Sequence, residues 1–238
     1  MAVYNYIGKP IIVSERTLQL TPVTFNRSGY FEPTSIEYFY SLVEKSSVQP
    51  INIIDIGAQS GLYTLYAKWL PNCHFYSYEP NPETFSLLVE NIKLNSINNV
   101  TLINKGLGEN VTTLTLKVPI RPDEKGLCCF GENPKRFSNY QSFNVDVDTL
   151  DNQFFDKNIP VHFIKADTEG WEYFVLKGGE NTLRKWKPEL FIEVNDTNLL
   201  QCNVSKNSLL EFLNSLGYTL QHIVDGENHH FSAYNSSI

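Results

Sequence analysis

Residues 51–79 read INIIDIGAQSGLYTLYAKWLPNCHFYSYE, and this stretch decides the fold. An apolar run of Ile51, Ile53, Ile54 and Ile56 gives way to the tight sequence Gly57-Ala58-Gln59-Ser60-Gly61. Leu62, Leu65, Tyr66 and Trp69 then recur at helical spacing as far as Pro71-Asn72, and a second apolar strand closes on Glu79. Strand, glycine turn, helix, strand and acid is the layout of a nucleotide-binding βαβ unit. Gly57 and Gly61 let the backbone turn sharply and let a ligand approach with no side chain in the way. The plainer alternative is a tight strand-to-helix turn with no ligand. A dinucleotide turn would prefer a small residue where Gln59 stands, so a ligand without a pyrophosphate, such as S-adenosylmethionine, suits this turn better. Glu79 lies at a strand end, where an acid can accept hydrogen bonds from both ribose hydroxyls; alternatively it only caps the helix beyond Pro80.

Outward from this unit the pattern repeats. Residues 1–32 are rich in β-branched and aromatic types broken by Gly8-Lys9-Pro10, Thr21-Pro22 and Ser28-Gly29, which predicts short strands or an extended arm. From Pro33, Ile36, Phe39, Tyr40 and Val43 share a helical face. Glu79-Pro80-Asn81-Pro82 is a rigid turn into a helix carrying Phe85, Leu88, Val89 and Ile92, followed by the strand VTLIN. Leu114, Leu116 and Val118 alternate as a hairpin strand. FNVDVDTL reads as a strand leading into a short helix, and VHFIKAD and ELFIEV as further strands, with one helix predicted from Trp171 to about Leu183 and another over Ser205–Leu216. YTLQHIV and HHFSAY predict a terminal hairpin around Asp225-Gly226. Alternating strands and helices imply an α/β domain with a doubly wound, mostly parallel sheet, with residues 1–32 as a β-rich extension and 33–238 as the core.

Composition narrows the function classes. The chain has 238 residues, 42% apolar and 19% charged, with a formal net charge of −7. No basic run offers phosphate neutralisation, so neither a nucleic-acid partner nor an anionic membrane surface is expected. Cys73, Cys128, Cys129 and Cys202 form no metal spacing, and the five histidines show none either, so free thiols in a reducing compartment are expected. No signal peptide or spanning segment is read, which predicts a cytoplasmic protein.

In a parallel sheet ligands sit at the carboxyl ends of strands, so Asp55, Glu79, Asn104, Asp167 and Glu193 should gather along one rim. The turn from Asn104 through Gly106 would lie beside a base. Asp167 and Glu169 could orient a cofactor amine, act as general base toward a hydroxyl, or hold a divalent metal, for which Asp167, Glu193 and Asn195 form a candidate oxygen set. The segment from Ile120 to Tyr140, with Arg121, Lys125, Lys135 and Arg136, looks suited to covering a polar, anionic substrate, or is simply a solvated loop.

The motifs IIDIGAQSGLYT, YSYEPNPETFSLLVENIKLN, NKGLG, VDTLD, FIKADTEGWEYFVLKGG and KPELFIEVN occur in the order and spacing of the FkbM-like S-adenosylmethionine-dependent methyltransferases, which the chain resembles from about Tyr30 to Asn195. The resemblance implies a class I, Rossmann-like methyltransferase fold with a seven-stranded sheet. It further implies methyl transfer to a hydroxyl of a small, sugar-containing acceptor. It places Asp55, Gly57, Ala58 and Gly61 along the methionine part of the cofactor, Glu79 at the ribose and Asp167 near the transferred methyl. Gln59 stands where Asn is usual and Gly106 where Ala is usual. A nicotinamide-dependent oxidoreductase and a non-catalytic S-adenosylmethionine-binding protein are the competing readings.

Overall fold

A computed structural model describes residues 1–26, 29–46, 49–131 and 139–233. In chain order it runs through β1 (Ala2–Tyr6), β2 (Lys9–Val13), α1 (Glu15–Leu20), β3 (Phe25–Asn26), β4 (Gly29–Tyr30), α2 (Pro33–Ser46) and β5 (Ile51–Ile56). A 3-10 turn over Thr64–Trp69 leads to β6 (Cys73–Tyr78), α3 (Pro82–Leu94), β7 (Val100–Ile103), β8 (Gly106–Leu107) and β9 (Thr112–Pro119). A second 3-10 turn, Pro122–Leu127, precedes β10 (Tyr140–Asp148), β11 (Phe163–Ala166), α4 (Glu172–Lys177), α5 (Glu180–Trp186) and β12 (Glu189–Glu193). The chain finishes with α6 (Asp196–Gln201), α7 (Lys206–Ser215), β13 (Thr219–Val224) and β14 (Asn228–Ser232).

The main sheet has seven strands in the order β13-β14-β12-β11-β5-β6-β7. Neighbours from β12 to β7 are parallel, and β14 runs antiparallel to both β12 and β13. This is the doubly wound α/β architecture that the alternating pattern implies. Ile51 and Ile53 pack on one face with Phe39, Tyr40, Phe75 and Phe163, while Ile54 and Ile56 pack on the other with Ile164, Leu176 and Leu190. A strand buried on both sides reads as a continuous apolar run, which is why INIIDI does not alternate. The predicted terminal hairpin is present, and both Asp225 (φ 51) and Gly226 (φ 79) adopt the left-handed conformation that a tight hairpin turn needs.

Three local expectations are corrected. Residues 15–20 form a helix rather than extended chain, because the Ser14 side chain accepts from the Thr17 N–H and caps it. The segment after the glycine turn is a 3-10 turn instead of an α-helix. The helix from Trp171 is two helices, α4 and α5, split at Gly178-Gly179, where a Cβ would strike the Gly108 carbonyl oxygen at 1.9 Å and Leu150 at 2.7 Å. Residues 1–32 pack into the same apolar cluster as β5 through Tyr4, Ile11, Val13 and Phe25. Asn91 and Asn95 of the α3 region accept the Ser14 and Ile12 backbone N–H groups at 3.0 and 2.9 Å, fixing the β1–β2 hairpin to the sheet's helical layer. Among the described residues no helix is long and apolar enough to cross a membrane.

Candidate active site

The turn after β5 is built by its own hydrogen bonds. The Gly57 and Ala58 N–H groups both donate to the Tyr78 carbonyl at 3.0 Å, and the Gly61 N–H donates to Ala58 at 2.8 Å. Gly57 has φ 78, and a Cβ there would lie 1.9 Å from the backbone oxygen of Asp167. Glycine is therefore demanded by the neighbouring strand end as much as by any ligand. At Gly61 a Cβ would meet the Leu88 side chain at 2.9 Å, so this glycine serves the packing of α3 against the turn.

A cavity of about 310 Å³ opens above the carboxyl ends of β5, β6, β11 and β12. One half is bounded by Gly57, Ala58, Gln59, Glu79, Gly106 and Leu107. Glu79 is buried, with one carboxyl oxygen accepting the Gln59 N–H and the other the Asn81 N–H, each at 2.8 Å. Burial nevertheless outweighs these bonds and raises its pKa to about 7. The Thr84 hydroxyl also acts on this carboxyl, and a ligand offering hydroxyl donors to its remaining lone pairs would favour the carboxylate. A ribose does this.

The other half is governed by charge. Parallel pairing of β11 with β5 sets Lys165 opposite Asp55. The Lys165 ammonium, 4% exposed, lies 3.8 Å from Asp55 and 3.5 Å from Asp167, over the Tyr63 ring at 4.7 Å. Burial alone would discharge Lys165, but its carboxyl neighbours, Asp167 and Asp55 foremost, outweigh it and raise its pKa, so the ammonium persists. Asp55 sits beneath this lysine, with one oxygen accepting from the Thr64 hydroxyl at 2.7 Å. Burial raises its pKa, against the pull of Lys165 and Thr64. Glu32, Asp167, Glu169, Glu193 and Glu227 border the same space. Burial first, then the charge of Asp167, raises Glu32 to about 7. Burial together with Asp167, Glu169 and Glu172 drives Glu193 up to about 11, so it stands as a neutral acid.

Of the residues expected on the ligand, Gly57, Ala58, Glu79, Gly106, Asp167 and Glu169 border the cavity, and Asp55, Gly61 and Asn104 lie behind its lining. Asp55 is a support for Lys165, and Asn104 donates to the Glu79 and Pro80 carbonyls at 2.8 and 3.2 Å, bracing the turn after β6. The residues that sequence reasoning passed over are Lys165 and Glu32. One charge in each of two neighbouring buried runs, IIDI and FIKA, was the available signal for the first; nothing comparable marks Glu32.

The expected metal set also changes. The Asn195 side-chain oxygen is spent capping α6, accepting from Thr197 and Asn198, while its amide donates to Glu227 at 2.6 Å. Oxygens of Asp167, Glu172 and Glu193 do lie within 4.8 Å of one another. Glu172, however, accepts from the Thr168 N–H at 2.6 Å and hydroxyl at 2.9 Å, and the Lys165 ammonium already stands beside Asp167. This donor set does not suit a divalent cation. In the Ile120–Tyr140 segment, the 3-10 turn Pro122–Leu127 closes the cavity with Asp123, Lys125 and Leu127. Arg121 pairs with Asp123 at 2.5 Å within this segment, and Lys125 pairs with Glu83 of α3. Lys135 and Arg136 lie outside the described residues.

The sequence profile of the methyltransferase FkbM domain matches residues 55–220. Ribosomal protein L11 methyltransferase of Lactobacillus gasseri is 25% identical over 103 residues, which cover 43% of this chain and 32% of that protein. The chain thus spans about a third of the length of the curated relatives it matches. A methyltransferase FkbM from Methylobacillus flagellatus superposes with a TM-score of 0.48 at 21% identity, covering 82% of this chain and 49% of that one. An rRNA methylase from Streptococcus thermophilus superposes with a TM-score of 0.50 at 14% identity over 83% of this chain and 93% of that one, a likeness of fold.

Proposed function

The chain belongs to the FkbM methyltransferase domain family, and from that premise we propose that it is an S-adenosylmethionine-dependent O-methyltransferase acting on a hydroxyl of a small, sugar-containing molecule. The observation that carries this reading is the buried Glu79 carboxyl, held by two backbone N–H groups and opening on the same cavity as Asp167. Glu79 would hold the ribose, Gly57 and Ala58 would admit the methionine part without a long side chain intervening, and Gly106 and Leu107 would flank the base. When bound, the cofactor supplies an electrophilic methyl group on a cationic sulfur. The carboxyl groups around Lys165 give the second half of the cavity an excess of negative charge that complements that cation.

The protein's own contribution is alignment. Displacement at carbon needs the acceptor oxygen in line with methyl and sulfur, so positioning supplies much of the rate. Carboxylates accept hydrogen bonds from hydroxyls readily, which fits a polyhydroxylated acceptor, while the same acids repel a polyanion and disfavour a nucleic-acid one. We place the reaction in the cytoplasm, where the four cysteines, which form no disulfide, would stay reduced.

Thermal unfolding with S-adenosylhomocysteine, set against NAD, tests the cofactor half. At a hundredfold excess over its dissociation constant a specific ligand adds about 2.7 kcal/mol of stability. A stabilisation by S-adenosylhomocysteine alone is expected; stabilisation by NAD alone would move the chain to the oxidoreductases. Transfer of labelled methyl to sugars but not to RNA is the expected second result.

A further inference from the structure

We infer that Glu32, contributed by the N-terminal segment ahead of the family's matched region, is the general base that takes the proton from the acceptor hydroxyl. The inference rests on the methyltransferase reading above and deepens it. Glu32 lies outside residues 55–220 yet borders the cavity together with Tyr63, Lys165 and Asp167. Its neighbours Val23, Thr24 and Phe31 border it too, so the residues before α2 form one wall of the cavity.

The backbone is bent to put the side chain there. Glu32 has φ 50, a left-handed conformation that costs a non-glycine residue of order 1–3 kcal/mol, and it immediately precedes Pro33. Its carbonyl accepts from the Ile36 N–H at 3.1 Å, so the start of α2 holds the strained residue in place. Strain retained at a cavity wall points to a side chain with a task.

The other carboxyl groups are held differently. Asp167 is engaged by Lys165 at 3.5 Å. Glu193 is a neutral acid. Glu169 accepts from the Asn198 amide at 3.0 Å, and Glu227 accepts from the Asn195 amide at 2.6 Å. Glu32 faces the Tyr63 hydroxyl at 3.5 Å, the Asn228 amide, Lys165, Asp167 and Asp225. Burial and Asp167 set its pKa about 7, where a base is both populated and strong enough to matter. As the acceptor oxygen bonds to the methyl carbon, its proton passes to a Glu32 oxygen. The carbon–sulfur bond breaks with its electron pair left on sulfur, giving the neutral thioether S-adenosylhomocysteine, and Glu32 then releases the proton to solvent.

Carbon-13 NMR of protein labelled at the glutamate carboxyl carbons, titrated from pH 5 to 9 in the presence of S-adenosylhomocysteine, reads the group directly. The resonance lost in Glu32→Gln should titrate near 7 with the ligand bound, because Glu32 faces the acceptor half. A Glu32 carboxyl that is already ionised at pH 5, or that never titrates in the complex, overturns the proposal. Methyl transfer from labelled S-adenosylmethionine into a deproteinised small-molecule extract should fall at least 100-fold in Glu32→Gln. Binding of S-adenosylhomocysteine, measured by calorimetry, should stay within twofold. Glu32→Asp, which keeps a carboxyl, should restore part of the rate. Loss of ligand affinity in parallel with rate would make Glu32 structural and sink the idea. Failure of the wild type to bind S-adenosylhomocysteine would instead strike the cofactor reading.

Discussion

Replacing Lys165 with methionine removes one charge and nearly preserves the volume of the stem. The pair it breaks is buried on both sides, the Lys165 and Asp55 side chains being 4% and 1% exposed. At an effective dielectric near 20, unit charges 3.8 Å apart attract by about 4 kcal/mol. Part of that is returned because the lysine no longer has to be desolvated, so breaking such a pair costs about 3 kcal/mol at pH 8. What remains is Asp55 with the Thr64 hydroxyl on one oxygen and no hydrogen-bond donor on the other. The pKa of Asp55 already lies above its ordinary value, with Lys165 restraining the rise, so the variant should raise it further. A carboxyl whose pKa is higher folded than unfolded binds more protons in the folded state, so stability falls as pH rises between the two values and levels off above them. The deficit of Lys165→Met should therefore grow as pH rises and shrink as it falls, measured by urea unfolding followed by tryptophan fluorescence. Asp55→Asn with Lys165→Met, which leaves no charge unpaired at that position, should recover at least half of the loss and flatten the profile. A deficit under about 1 kcal/mol, or one that is level from pH 5 to 8, would refute the charge pairing as a support of the fold.

Glu79 makes cofactor binding pH-dependent: with a pKa of about 7 in the free protein and the carboxylate required by the ribose, S-adenosylhomocysteine affinity should drop roughly tenfold from pH 8 to pH 6. Calorimetry in buffers of different ionisation enthalpy should show proton release near pH 7; a level affinity means that Glu79 does not meet the ligand as a carboxylate. Gly57→Ala should cost well over the about 1–2 kcal/mol of left-handed backbone strain, because its Cβ would also strike Asp167. Gly226→Ala, at φ 79 with nothing within 4 Å, should cost only the strain, and equal losses in the two would dismiss the clash. Asn91→Ala should destabilise by about 2–3 kcal/mol in chemical denaturation, since the Ser14 N–H loses its acceptor and the Ser60 carbonyl its donor inside the core.

The fold was legible where its determinants are local. Ile51 to Ile56, the turn and the strand to Tyr78 are consecutive, and periodicity together with a terminating acid identifies each piece. The misread elements depended on distant neighbours. Gly178-Gly179 split a helix because Gly108 and Leu150 press against them from a different part of the chain. Residues 15–20 are helical although the surrounding sequence favours strands, because Ser14 caps them and the Asn91 side chain receives the Ser14 N–H.

The same division runs through the site, and it explains why the cofactor was easier to read than the chemistry. The turn at Gly57 and the acid at Glu79 belong to one βαβ unit, so their spacing in sequence already fixes their spacing in space. The acceptor half is assembled from residue 32, from the register of β11 against β5, from the end of β12 and from the turn before β14. Charges in it acquire meaning only from each other: Asp167 and Asp55 keep the buried Lys165 ammonium charged, and burial together with the neighbouring carboxyl groups pushes Glu193 up. A motif can report a group that binds alone, as Glu79 does through two backbone N–H groups of its own unit. It cannot report a base whose strength is set by the company it keeps. The acceptor half is therefore where substitutions at sites distant in sequence should couple most strongly, with Lys165→Met altering the titration of Glu32, which it does not precede or follow in any local element.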